Sequence, residues 1–205
     1  MSWRVRGLGV LVLALALAAG CGEEAPRLPR LAANDVIVAF GDSLTYGTGA
    51  SEHESYPAVL AQLIGRPVVR AGVPGEVTAQ GLRRLPSVLD EHRPRLVIVC
   101  LGGNDMLRKI GSAQIKRNLE GMLRELRQRG ISAVLVGVPK PALWTSSADF
   151  YTELAREFDV PYEGEIVTSV LYSSDMKSDP IHPNAKGYRK MAEALAKLLR
   201  EAGAL

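Results

Sequence analysis

Four short segments of this 205-residue chain carry residue types that could do covalent chemistry. Gly41-Asp42-Ser43-Leu44-Thr45-Tyr46-Gly47 holds a serine between glycines. Gly72-Val73-Pro74-Gly75-Glu76 and Gly102-Gly103-Asn104-Asp105 are glycine-containing turns, and Ser178-Asp179-Pro180-Ile181-His182-Pro183-Asn184 joins an aspartate to a histidine. A hydroxyl nucleophile needs a base to take its proton, a group to orient that base, and donors for the oxyanion that develops. The four segments supply such a set. Ser43 would attack a carbonyl carbon, His182 would accept its proton and return it to the leaving group, and Asp179 would hold the far nitrogen of the imidazole. The Asp-x-x-His spacing lets one turn carry both groups, and Pro180 and Pro183 restrict that turn. The expected oxyanion donors are the main-chain N–H groups of Ser43 and Gly75 and the side-chain amide of Asn104. Glycine at 75 lets the main chain come close to a substrate.

Taken singly, each residue has a plainer use. Ser43 could cap a helix after a strand, and His182 could be a surface histidine; the presence of the other segments decides for chemistry. Asp42 and Asp105 read as supports of their loops. His53 and His92 lie in polar stretches and read as solvated, Cys100 reads as inert core, and the basic residues between Arg108 and Arg129 read as the solvated side of a helix. Trp144 and Phe150 fit either an acyl site or core packing. Other hydrolase and nucleotide motifs fail: the Gly-x-Ser-x-Gly elbow would need glycine where Thr45 stands, and no Walker A sequence is present.

The elements that must position these residues are legible as apolar runs. They begin at Val36, Pro67, Arg95, Ile131 and, weakly, Val160, and their spacing suits repeated βαβ units. The runs at 36, 95 and 131 are almost continuously apolar, as in strands buried on both faces of a parallel sheet. Between them, Ile115, Leu119, Met122, Leu123 and Leu126 form a helical stripe, with Ser112 as N-cap and Gly130 past its end. Tyr188, Met191, Ala192, Leu195 and Leu199 form another after an Asn184 cap. Shorter helices are expected over Pro57 to Ile64, Asp149 to Phe158, and Thr78 to Glu91, the last kinked or split by Pro86. The predicted architecture is a three-layer α/β/α sandwich with a mostly parallel five-stranded sheet. In such sheets ligands bind beyond the carboxyl ends of the strands, where the glycine turns fall.

With these blocks in order, the sequence resembles the SGNH, or GDSL, hydrolase superfamily. Its four letters match Ser43 in GDSLTYG, Gly75 in AGVPGEVTAQGL, Asn104 in LGGND and His182 in DPIHPN. The resemblance runs from about Val36 to the C-terminal helix and is greatest to the thioesterase I, lysophospholipase and arylesterase-type esterases. It implies a flavodoxin-like sheet, no metal or cofactor, and hydrolysis of esters or thioesters. Two departures stand out. Arg70-Ala71-Gly72 replaces a block that often begins with Asn, and the segment Pro139 to Asp149, which helps shape the family's acyl pocket, is short.

The N-terminus reads differently. Arg4 and Arg6 precede an apolar or small run from Gly7 to Gly20, long enough for a signal-peptide core and too short to span a bilayer. Leu17-Ala18-Ala19-Gly20-Cys21 resembles the lipobox of bacterial lipoproteins, although Leu17 stands four places before the cysteine instead of three. Residues 1–20 are therefore expected to be a signal peptide, Cys21 a lipidated residue, 21–34 a tether, and 35–205 the hydrolase domain. Gly22, in place of Asp, favours an outer-membrane anchor facing the periplasm. The formal net charge is +3, and the signal carries Arg4 and Arg6. With no basic stripe left, nucleic acid is excluded as a partner. Two cysteines cannot form a disulfide framework or a zinc site.

The expected protein is an exported, membrane-tethered, monomeric serine esterase acting on a small ester, thioester, aryl ester or lysophospholipid. A carbohydrate O-acetylesterase on the same fold and a catalytically silent binding lipoprotein are the alternatives.

Overall fold

The five apolar runs become five parallel strands of one sheet in the computed structural model, which describes residues 26–140 and 146–205. The strands are β1 Ile37–Gly41, β2 Val68–Gly72, β3 Leu96–Cys100, β4 Ser132–Val136 and β5 Tyr162–Glu163, in the order β2-β1-β3-β4-β5. Every residue of β1 and β3 is buried, which is why these runs show no alternation. The helices are α1 Ser43–Tyr46, α2 Tyr56–Ile64, α3 Thr78–His92, α4 Gly103–Leu107, α5 Ser112–Gln128, α6 Asp149–Phe158, α7 Ile166–Tyr172 and α8 Ala185–Glu201. α2 packs on α8, and α3 and α6 pack on α5, so the sheet lies between two helical layers.

The chain reverses direction across the sheet after β2, so β1 and β3 are neighbours and a crevice opens between their carboxyl ends. Register sharpens this. Gly41 pairs with Gly72 on one side and with Cys100 on the other, so the three strands stop at one level and the three turns begin together. Gly72 also has to be glycine, since a Cβ there would lie 2.2 Å from the Tyr46 nitrogen of α1.

Several local expectations change. α3 is not split at Pro86. The ring costs the helix a hydrogen bond, about 3 kcal/mol in an isolated helix, but Leu85, Val88 and Leu89 on either side are buried against the core and hold the segment helical. Gly111, and not Ser112, occupies the cap of α5. Asn184 does cap α8, its side chain accepting the Gly187 N–H at 3.1 Å. The short helices α1, α4 and α7 had no amphipathic pattern long enough to predict them.

Part of the segment before β1, expected to be free of the domain, is docked on it. Leu28 N–H donates to Ala202 O at 2.8 Å, Leu31 N–H to Ala204 O at 2.9 Å, and Leu31 is 5% exposed. Arg66 adds donors to the carbonyls of Leu31 and Ala32. Two leucines in a stretch with no periodicity are thus enough to dock it on the end of the domain where α8 finishes. Residues 1–20 and Cys21 lie outside the described residues, and no helix among those described is long and apolar enough to cross a membrane.

Candidate active site

Ser43 is the first residue of α1, and it gets there because Asp42 caps that helix, accepting the Leu44 N–H at 3.0 Å. The turn is tight: β1 ends at Gly41 and the helix begins two residues later, which lifts the serine onto the sheet's rim. His182 arrives from the opposite end of the sequence. Its Nε2 lies 3.1 Å from Ser43 Oγ, across a separation of 139 residues. On its other side, His182 Nδ1 lies 2.7 Å from Asp179 Oδ2.

Asp179 does two jobs with its two oxygens. While Oδ2 faces the imidazole, Oδ1 accepts the main-chain N–H of Ile181 at 2.8 Å and of His182 at 2.9 Å. The turn therefore closes on the carboxylate before the ring is added. Partial burial alone would raise the Asp179 pKa. The hydrogen bonds from the His182 ring and from these N–H groups outweigh it and hold the carboxyl below its usual value. An ionised Asp179 favours the tautomer with hydrogen on Nδ1, leaving Nε2 to accept a proton from Ser43. The segment is braced by an antiparallel bridge from Lys177 to Pro183 and by Ser178 N–H donating to His182 O at 2.9 Å.

The second turn presents Gly75. Glu76 N–H donates to Val73 O at 3.1 Å, and Gly75 has φ +77°. Proline at the second position and positive φ at the third define a type II turn. Glycine is thus required by the backbone conformation itself, beyond the close approach expected of it. Among the described residues, neither the Ser43 nor the Gly75 main-chain N–H has a protein acceptor. Asn104 differs. Its Nδ2 donates to Asp42 Oδ2 at 3.1 Å and to Glu76 O at 3.1 Å, so both of its protons already hold the neighbouring turns.

Asp42 is 2% exposed. Burial pushes its pKa up to about 7, with the charges of Glu76 and Asp105 adding to the rise, against hydrogen bonds from Leu44 and Asn104 that lower it. Asp105, fully buried, accepts the N–H and hydroxyl of Thr78. Both aspartates support their loops, as their positions suggested. Cys100 is buried and free, and burial pushes its thiol pKa well up. Phe150 is buried against Tyr151, with ring centroids 4.5 Å apart, so it belongs to the core. Trp144 lies outside the described residues.

Beside Ser43 and His182 is a narrow pocket of about 30 Å³, its apolar wall made by Leu44, Leu107, Val138, Leu171 and Ile181. Roomier clefts lie elsewhere, among them one of about 380 Å³ at Pro26 and Ala202 and one of about 700 Å³ between Tyr162 and Tyr172. Neither touches Ser43 or His182, and size alone does not make them the site. Among the described residues, no three His, Cys, Asp or Glu side chains converge as metal ligands would.

Sequence reasoning missed Glu76, Arg84, Thr78 and Asn118. Their side chains bind one another or the turns from elements far apart in sequence, and no local spacing announces such pairs.

A parallel α/β sheet with a serine, a histidine and an aspartate in line at its crevice defines a serine hydrolase. The chain belongs to the GDSL-like Lipase/Acylhydrolase family, whose sequence profile matches residues 39–190. It is 34% identical over 179 residues to Thioesterase 1/protease 1/lysophospholipase L1 of Escherichia coli (strain K12), covering 83% of this chain and 86% of that protein. It is 29% identical over 178 residues to the Arylesterase of Vibrio mimicus, covering 82% and 89%. Among solved structures, TesA matches with a TM-score of 0.73 at 26% identity, over 82% of this chain and 99% of that one. AlinE4, an SGNH-hydrolase family esterase, matches with a TM-score of 0.64 at 34% identity, over 84% and 98%. Membership of this family makes the chain an ester hydrolase.

Proposed function

We propose that Ser43, His182 and Asp179 are the catalytic triad of an esterase that acts on carboxylic esters or thioesters. The observation that carries this reading is the unbroken line Ser43 Oγ, His182 Nε2, His182 Nδ1, Asp179 Oδ2, with contacts of 3.1 and 2.7 Å. Ser43 Oγ attacks the carbonyl carbon while its proton passes to Nε2. The imidazolium, held by Asp179, then protonates the leaving oxygen or sulfur, and the acyl group stays on Ser43. Water repeats the sequence in reverse: it gives a proton to Nε2, attacks the acyl carbon, and releases the acid as Ser43 regains its hydrogen.

The oxyanion of each step is received by the N–H groups of Ser43 and Gly75, which have no protein acceptor among the described residues. Asn104 joins them by sharing one of the protons it gives to Asp42 and Glu76. Such donors are each worth about 100- to 1,000-fold in turnover. The apolar wall of the pocket supports an acyl group.

Cys21 is the proposed lipid anchor of an exported protein, on the strength of its lipobox-like setting. Cys21→Ser should then move the protein from the membrane to the soluble fraction, and unchanged fractionation would remove the anchor from the reading.

The test of function is turnover of p-nitrophenyl esters of graded chain length, with Ser43→Ala beside wild type and fluorophosphonate labelling of both. Turnover of these esters by wild type, lost with labelling in Ser43→Ala, is the expected result. No turnover and no label on Ser43 in wild type would overturn the triad.

A further inference from the structure

We infer that Arg84, a residue outside the four motif segments, is the positioning residue that holds the oxyanion donors in register. The inference rests on the ester-hydrolase reading of the site and extends it to α3. Arg84 sits on the inner side of that helix, next to an exposed Arg83. Its Nε donates to Glu76 Oε1 at 2.7 Å and its Nη2 to Glu76 Oε2 at 2.6 Å, a two-pronged bond to a carboxylate only 5% exposed. The same Nη2 reaches Ala71 O at 3.1 Å and Gly41 O at 3.4 Å, near the ends of β2 and β1. The guanidinium carbon lies 4.2 Å from the centroid of the buried Phe40 ring, which fixes the plane of the fork.

What the fork grips is the oxyanion apparatus. Glu76 closes the type II turn through its N–H to Val73 O, setting the Gly75 peptide, and its carbonyl accepts from Asn104 Nδ2. Gly41 is two residues before Ser43, and its carbonyl also accepts the Val73 N–H at 3.0 Å. One side chain therefore ties the ends of two strands to the turn that carries one donor and braces another. A lysine would keep the charge but offer a single point where the geometry uses a planar fork. Displacing a donor by about 1 Å costs on the order of 100-fold in rate.

The test compares wild type, Arg84→Lys, Arg84→Gln and the double variant Glu76→Gln/Arg84→Met by kcat and KM on p-nitrophenyl acetate. The rate of fluorophosphonate labelling and the melting temperature are measured alongside. Arg84→Lys and Arg84→Gln should lose about 10- to 100-fold in kcat and labelling rate with KM within about twofold. The double variant removes the buried charge together with its partner, so it should regain melting temperature without regaining kcat. Wild-type kcat in Arg84→Lys would overturn the positioning role, as would recovery of kcat together with stability in the double variant. If wild type itself fails to label at Ser43, the hydrolase site falls first and Arg84's role falls with it. If wild type labels and the Arg84 variants label as fast, the role of Arg84 alone falls.

Discussion

Asp105 binds Thr78 twice, accepting its main-chain N–H at 2.8 Å and its hydroxyl at 2.6 Å. The residue after Asn104 is thereby fastened to the first residue of α3, which follows the Gly75 turn, so two of the three turns at the rim are locked by one buried carboxylate. Asn118 extends the lock to α5 by donating to the Thr78 hydroxyl at 2.9 Å. Asp105→Ala leaves a buried N–H without an acceptor and should cost about 2–4 kcal/mol of stability, read as a lower denaturant midpoint at unchanged slope. Asp105→Asn, which keeps one acceptor oxygen, should lose less. Equal midpoints for all three proteins would show that the lock contributes nothing.

Asp42 should make stability depend on pH. Its folded pKa of about 7 lies above the ~3.9 of an unfolded aspartate. Between about pH 4 and 7 the folded state therefore keeps a proton that the unfolded state has released. The stabilisation is complete below that window and is lost as pH rises through it. Asp42→Asn lacks this titration, so wild type should lose stability relative to the variant from pH 4 to 7 and run parallel to it above. Unfolding curves at half-unit steps measure this, and two parallel profiles across the whole range would count against a raised pKa.

Gly75→Ala separates strain from clash. The nearest atom to a Cβ at this position is Arg108 Nη2 at 3.7 Å, so there is room, but φ of +77° costs an L-residue about 1–2 kcal/mol. The variant should fold, with kcat reduced because the turn relaxes away from positive φ. Gly72→Ala has no room at all and should fail to accumulate as folded protein. Full activity in Gly75→Ala would mean that the turn conformation is irrelevant to turnover.

Asp179→Asn keeps an oxygen for the N–H groups of Ile181 and His182, so the turn should persist. The amide nitrogen then faces Nδ1 and favours the tautomer with hydrogen on Nε2, which cannot take the serine proton. The expected fall in kcat is about 10³- to 10⁴-fold at unchanged melting temperature. Stopped-flow assay and calorimetry on the same samples would expose the alternative, a loss of activity caused by a loss of fold.

The docked segment before β1 should matter to stability alone. Leu31→Ala should cost about 2 kcal/mol, at the low end for a buried leucine because the site lies at the domain's edge, and it should leave kcat unchanged. A melting temperature equal to wild type would show that the docking of Leu31 contributes nothing to stability.

Much of this arrangement is readable from local pattern. The apolar runs located all five strands, the 3.6-residue stripes located α5, α6 and α8, and the four blocks named Ser43, Asp179 and His182, which the structure brings together. Local pattern was less informative where an element is shorter than the period that reveals it, as in α1, α4 and α7. It says less where tertiary burial overrides propensity, as at Pro86, where the helix is not split, and at Leu28 and Leu31.

By itself the sequence determined the residue types, their order and the parallel sheet, because hydrophobic periodicity and turn chemistry act over a few neighbouring residues. Tertiary structure decided which groups are partners. The in-register ends at Gly72, Gly41 and Cys100 bring three turns to one level. Only there do Asp42 and Asn104, Glu76 and Arg84, and Asp105 and Thr78 find each other. Such choices depend on distances across packed layers and on the cost of burying a charge without a partner, quantities that spacing along a chain does not encode.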